Sequence, residues 1–351
     1  MRKSTRYSLL LVLALIAALA VALVLRKKAP PEVARLLPES DAIVYANLKP
    51  LRLATHFDRT VVKRSPEYQH FVDATGIVPE RDLDEAAFAL HRMDDPAGPN
   101  GPVAYSEVFE GRFDGEKLAQ YLGSIATAQE SYAGHTIYTI PVGEPAQGGV
   151  RHLRVTQLGY DTIAASNMPT GEQIHLILDR YRAAASPFSG SSLLSARYGD
   201  VPLLSSAWAI GHIGLPFSER GKITVFGLEL PLSEDTDFVA SLQYLGSVRL
   251  RIEELAPSEA DAMRTVETLT TLLGIFRSIQ KTQAEQAPPS QPQDAAIAEA
   301  LGSLRIVRHD DRAVLTANIP TELLRQLATP VAQDATPGAP SAPADAIPAS
   351  H

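Results

Sequence analysis

The sequence predicts an α+β fold: two similar lobes of mainly antiparallel sheet with helices packed on one face, preceded by one transmembrane helix. Three observations predict it. The run Tyr7–Leu25 (YSLLLVLALIAALAVALVL) has no charge, amide or proline from Leu9 to Leu25, and roughly 17–25 such residues at about 1.5 Å each cross a hydrocarbon core. Beyond it, short runs rich in Val, Ile and Tyr alternate with helical patterns in an order that recurs. Finally, Asn167-Met168-Pro169-Thr170 and Asn318-Ile319-Pro320-Thr321 have the same make-up at the same kind of strand-to-helix junction, where proline stops a strand and suits a helix start.

Arg2, Lys3 and Arg6 precede the apolar run, and Arg26, Lys27 and Lys28 follow it. A cleaved signal peptide could use Ala18-Leu19-Ala20 or Ala20-Val21-Ala22 as its small-residue site. The run continues through Leu23, Val24 and Leu25 into the basic cluster, however, as anchors do. The expected membrane anchor is therefore 7–25, with Tyr7, Leu9, Leu25, Arg26, Lys27 and Lys28 as its boundary residues. Equal basic flanks give no charge asymmetry to orient it. A short leading segment before a long body places residues 1–6 in the cytoplasm and the body in a periplasm, single-pass in a bacterial inner membrane. The chain has no cysteine, which suits an oxidising compartment.

The 351 residues are 45% hydrophobic and 21% charged, the balance of a folded body rather than a disordered one. Six of the 32 basic residues lie in the first 28 positions, which hold no acidic side chain; the remainder carries 26 basic against 40 acidic residues, a net of −14. That field repels phosphate backbones, so nucleic acid is not an expected partner.

Residues 26–37, with Pro30 and Pro31, read as a linker. The first lobe spans 38–190. Asp41–Leu48 (DAIVYANL) is bounded by Pro38 and Pro50 and reads as a buried strand. A helix follows over Ser65–Thr75, ended by Gly76. Ala86–His91 is a strand, Asp94–Pro102 (DDPAGPNGP) a loop, and Val103–Phe113 a strand. Asp114 caps a helix with Leu118, Tyr121, Leu122 and Ile125 on one face. Strands at Thr136–Pro141, His152–Leu158 and Thr162–Ser166 precede a helix opened by a Thr170/Gln173 capping box.

The small-residue stretch Ser186–Ser195 separates the lobes. The second lobe, 191–328, replays the order: strands at Ala207–Ile213, Phe238–Leu245 and Val248–Glu253, then a helix capped by Ser258 with Asp261. Its apolar face is Met263, Val266, Leu269, Leu273, Phe276 and Ile279. Residues 282–294 (TQAEQAPPSQPQD) form a flexible insertion. Leu304–Arg308 and Ala313–Ala317 make a hairpin, Pro320–Leu327 a short helix, and 329–351 an Ala/Pro-rich disordered tail.

No catalytic, cofactor or metal motif emerges, and no cofactor is expected. His309, Asp310 and Asp311 form the one polar cluster worth naming, but neighbouring residues on a tight hairpin point apart, whereas metal ligands must converge. His91 near Asp94 and Asp95 reads as a loop for the same reason. No pair of histidines has the spacing that shares a helix face, no serine sits in a G-x-S-x-G elbow, and Gly221-Lys222 lacks the rest of a phosphate loop. Trp208, the sole tryptophan, reads as core.

The segment LLPESDAIVYANLKPLR, residues 36–52, followed by this strand and helix order and the recurrent N-[M/I]-P-T junction, resembles a group of bacterial envelope proteins with one N-terminal membrane helix and a domain of unknown function. The resemblance implies a duplicated α+β ectodomain and brings no catalytic residues. The expected role is a non-enzymatic binding or scaffold protein of the envelope, partnered by the membrane and another envelope protein. The alternatives are a carrier for a lipid or hydrophobic small molecule, and a hydrolase without a recognisable motif.

Overall fold

The computed structural model describes residues 29–59, 64–142, 150–183, 190–212, 223–225, 228–230, 236–244, 247–286 and 292–320. In chain order the elements are α1 (Glu32–Arg35), β1 (Ala42–Asn47), α2 (Leu48–Thr55), α3 (Pro66–Thr75), α4 (Pro79–Asp82), β2 (Leu83–Arg92), β3 (Val103–Gly111), α5 (Gly115–Ile125), β4 (Ala128–Tyr132), β5 (His135–Val142), β6 (Arg151–Gln157) and β7 (Thr162–Ser166). After these come α6 (Glu172–Arg182), α7 (Ser192–Arg197), β8 (Ser205–His212), β9 (Ile223–Val225), β10 (Leu228–Leu230), β11 (Asp237–Tyr244), β12 (Val248–Leu255), α8 (Glu259–Gln286), α9 (Pro292–Ser303), β13 (Arg305–His309) and β14 (Arg312–Ile319).

The two lobes expected from the sequence are instead one antiparallel sheet of twelve strands, ordered β13-β14-β12-β11-β8-β1-β2-β3-β7-β6-β5-β4. The seam is β1 against β8, in register from Ala42↔Gly211 to Ala46↔Ala207. Reading outward from it, β8, β11, β12, β14 and β13 on one side answer β1, β2, β3, β7 and β6 on the other. An exposed edge on each lobe would have left unpaired backbone groups along β1 and β8, and pairing the two strands satisfies them.

Among the described residues no helix is long and apolar enough to cross a membrane. The transmembrane helix, the signal-anchor reading, membrane partnership through it and the single-pass inner-membrane placement with a periplasmic body are therefore not supported. The stretch that carried them, with Tyr7, Leu9, Leu25, Arg26, Lys27 and Lys28, lies outside the described residues. So do the expected tail and most of the helix after Pro320.

Residues 32–37, expected as linker, belong to the core. Pro31 stands immediately before α1, where a fixed φ and no N–H suit a helix start. Val33, Ala34, Leu36 and Leu37 are at most 2% exposed. They pack with Ile43, Tyr45, Ile177, Leu178, Leu194, Trp208, Ile210 and Val239 on one sheet face, here called the packed face. On the opposite face, Leu118 and Leu122 of α5 cover Val155, Ile163 and Ala165, joined by Phe71 of α3.

Caps fix the helix starts much as their sequences indicate. Ser65 accepts from Tyr68 N at 3.2 Å, and Asp114 from Lys117 N at 3.2 Å. Asp114→Ala is expected to lower stability by about 1 kcal/mol, read from urea unfolding, with no change in strand content. The Thr170/Gln173 box does not form: Gly171 caps α6 without a side-chain bond. The expected insertion 282–294 is largely helical, since α8 reaches Gln286 and α9 begins at Pro292.

Candidate functional site

Residues directly opposite in an antiparallel ladder share a face, so the registers define continuous rows across the sheet. One row on the face opposite the packed face runs Ile306, Leu315, Ile252, Ala240, Ala209, Val44, Phe88, Glu107, Ala165, Val155 and Tyr138. Eleven strands thus contribute ten uncharged side chains and one carboxylate. The flanking row runs Ala317, Leu250, Leu242, Ala207, Ala46, Ala86, Phe109 and Ile163.

Side-chain size gives this face its shape. Over the seam, β1 offers Ala42, Val44 and Ala46, and β8 offers Ala207, Ala209 and Gly211. Phe88 and Leu90 stand higher on β2, as do Leu242 and Leu250 on β11 and β12. The result is a trough with a floor mostly of alanine and glycine, about three strand spacings or ~14 Å wide. At Gly211 an added Cβ would lie 2.6 Å from the Ala42 Cβ. Helices occupy the two ends of this face: α5 at one, and α8 at the other, where Thr265 Oγ1 donates to Glu254 Oε1 at 3.1 Å. In between, Val44, Ala46, Phe88, Leu90, Ala207, Ala209, Ala240 and Leu242 are only partly covered by the described residues.

Glu107 sits one strand outside the trough's Phe88 wall, between Tyr105 and Phe109 along β3 and opposite Phe88 and Ala165. Burial pushes its carboxyl up to about 7, because an apolar surround penalises the charged form. The Tyr105 phenol is raised as well, by burial first and by Glu107 next.

The packed face holds a second polar feature. His91 Nε2 lies 3.0 Å from Ser106 Oγ, which lies 3.0 Å from Ser166 Oγ. This is a serine–histidine contact, but not a hydrolytic one. Ser106 is 0%, Ser166 1% and His91 6% exposed, and the Ser166 hydroxyl also accepts from Met168 N at 3.3 Å. Burial lowers the His91 pKa, which disfavours the charged ring. The chain therefore satisfies buried polar groups that an apolar core would otherwise strand. His91, expected as the last residue of the Ala86–His91 strand, lies one residue from the end of β2.

The predicted cluster is brought together only as a turn. His309 ends β13 opposite Arg312, Asp310 has φ 53°, and His309, Asp310 and Asp311 are all exposed. Among the described residues no group of three or more His, Asp or Glu side chains is arranged to hold a metal ion. Sequence reasoning did not find the trough or Glu107. The available signal was the alanines of β1, β8 and β11 (Ala42, Ala46, Ala207, Ala209 and Ala240), whose meaning depends on which strands are neighbours.

No family model matches the sequence, and no curated protein matches it. Solved structures of TP0453 are similar at low identity. Crystal form III is 11% identical, covering 85% of this chain and 98% of that one at a TM-score of 0.46. Form IV is 11% identical over 87% and 99% at 0.43, and form I is 11% identical over 86% and 97% at 0.40. Of the likeness to envelope proteins expected from the sequence, what is found is this partial likeness in layout to TP0453.

Proposed function

We propose that this protein is a non-enzymatic carrier or binding protein for a lipid acyl chain or similar hydrophobic small molecule, held in the trough over the β1–β8 seam. The observation that carries the reading is the row from Ile306 to Tyr138, uncharged but for Glu107 and partly exposed at its centre. A contiguous apolar surface of this kind on a folded body calls for a ligand or partner. Covering it gains roughly 25 cal/mol per Å² of apolar area removed from water. The low floor leaves room for a chain one methylene wide, and Glu107, on the strand next to the Phe88 wall, offers a polar contact to the end of a ligand that reaches over that wall.

Filling the floor tests this. Ala209→Phe places a ring in the trough at a partly exposed position, whereas Gly211 has no room for a side chain. In the full-length chain, fluorescence titration with a long-chain fatty acid analogue is expected to show binding weakened about tenfold or more by Ala209→Phe, with the urea midpoint little changed. Equal binding by the variant and the parent chain would rule the trough out.

A docking surface for another protein is the second reading. It is favoured by Met263, Ile275 and Ile279 on α8, which are 48–50% exposed.

A further inference from the structure

On the packed face, beyond the reach of the core helices, a cleft of about 650 Å³ lies over β12, β14 and β13. Four arginines line it, at 249, 251, 305 and 312, with two acids, Asp200 and Glu253. Arg312 is committed, its Nη1 lying 2.9 Å from Asp200 Oδ1 and 3.4 Å from Glu253 Oε2. Arg251 meets Glu253 Oε1 through Nε at 2.5 Å. Arg249 and Arg305 are exposed and have no acidic partner among the described residues. The cleft therefore holds two positive charges in excess, inside a body whose net charge past residue 28 is −14.

The register explains why these side chains converge. Arg305, Thr316 and Arg251 are direct neighbours across three strands, and Arg249 lies beside Asn318 on the same face. Arg251 and Arg305 thus flank Thr316 at about 10 Å between Cα atoms. All three arginines line the cleft together with Thr316 and Asn318. A guanidinium offers paired donors that match an oxyanion edge. Arg249 and Arg305, with the Thr316 hydroxyl and the Asn318 amide beside them, suit a group with more oxygens than a carboxylate. We propose that this cleft is a binding site for a phosphate group, carried either by a soluble phosphate ester or by a phospholipid headgroup. The site lies on the opposite sheet face from the trough and stands independently of it.

The test uses the full-length chain and the double variant Arg249→Gln/Arg305→Gln. Both residues are exposed, so circular dichroism and the melting profile should match the parent. Calorimetric titration with inorganic phosphate and glycerol 3-phosphate probes the soluble source. Flotation with phosphatidylglycerol against phosphatidylcholine vesicles probes the headgroup. Loss of two charge-assisted contacts is expected to weaken binding about tenfold or more, and raising ionic strength should weaken the parent too. Soluble phosphate bound by the parent and lost in the variant supports the site with a soluble ligand. A preference for phosphatidylglycerol lost in the variant, without soluble binding, supports it with a headgroup. If neither probe binds, or the variant binds as well as the parent, the proposal is overturned. Arg249→Lys/Arg305→Lys, which keeps charge but not the fork, should fall between the two.

Discussion

Replacing Trp208 by alanine is expected to cost about 3–5 kcal/mol, the range for truncating a large aromatic ring in a packed core. Trp208 is 3% exposed and stacks on Tyr45 with ring centroids 5.3 Å apart, while Tyr198 meets it edge-on at 5.4 Å. The Tyr45↔Trp208 pair lies on the β1–β8 seam, the one place in the sheet order where strands from before residue 167 meet strands from after residue 204. Losing the indole removes apolar area and also loosens the junction that makes a single sheet of two halves. Because it is the sole tryptophan, urea unfolding should be followed by circular dichroism. Trp208→Phe, which keeps a ring against Tyr45, should recover more than half of the loss. A cost below about 1 kcal/mol for Trp208→Ala would mean that the seam is held elsewhere.

Local physics made most elements legible. Short runs rich in β-branched, aromatic and other apolar residues marked β1, β2, β3, β6, β7, β11 and β12, and side-chain caps marked the starts of α5 and α8. Ser258 Oγ accepts from Asp261 N at 3.2 Å, as the spacing indicates. The misses have local causes too. Strand β4 (AQESY) is a polar, almost wholly exposed edge, so no hydrophobic period announces it. Helix α7 was hidden in a small-residue stretch, yet Ser191 caps it and Leu193 and Leu194 are buried. Two prolines made 26–37 look like a spacer, although Leu36 and Leu37 had the composition of core.

The sheet's continuity was out of reach for a different reason. Pairing β1 with β8 joins residues more than 160 positions apart, and nothing in either strand names its neighbour. Both proposed sites inherit that difficulty. The trough exists because Ala46, Ala207, Ala209 and Ala240 fall on one face of adjacent strands. The arginine cleft exists because β13 delivers Arg305 to a face on which Arg249 and Arg251 already alternate. Read along the chain alone, those arginines are a solvated strand face and those alanines are ordinary strand residues.

Glu107→Gln is expected to stabilise the protein at pH 8 by up to about 3 kcal/mol and to flatten its pH dependence. The carboxyl is held at about 7 in the fold against an ordinary 4.5, and each pH unit of such a difference is worth 1.36 kcal/mol, which sets that ceiling of about 3 kcal/mol. Below about pH 4.5 both folded and unfolded states carry the proton, so this residue costs the fold nothing. Between that point and about 7 the unfolded chain releases the proton while the folded chain keeps it, so stability falls as pH rises. Above about 7 the folded chain ionises too and the full cost is in place. Glutamine has nearly the same shape and never carries the charge, so its urea midpoint should lose this descent. A parent chain whose stability does not fall between pH 5 and 8 would show that Glu107 is solvated. The same charge bears on the trough. An acyl chain that reaches over Phe88 to Glu107 excludes more water, which disfavours the carboxylate further, so uptake should take a proton from solution and weaken as pH rises past 7. Glu107→Gln should bind equally at pH 6 and pH 8, which ties the carboxylate to the ligand without altering the floor.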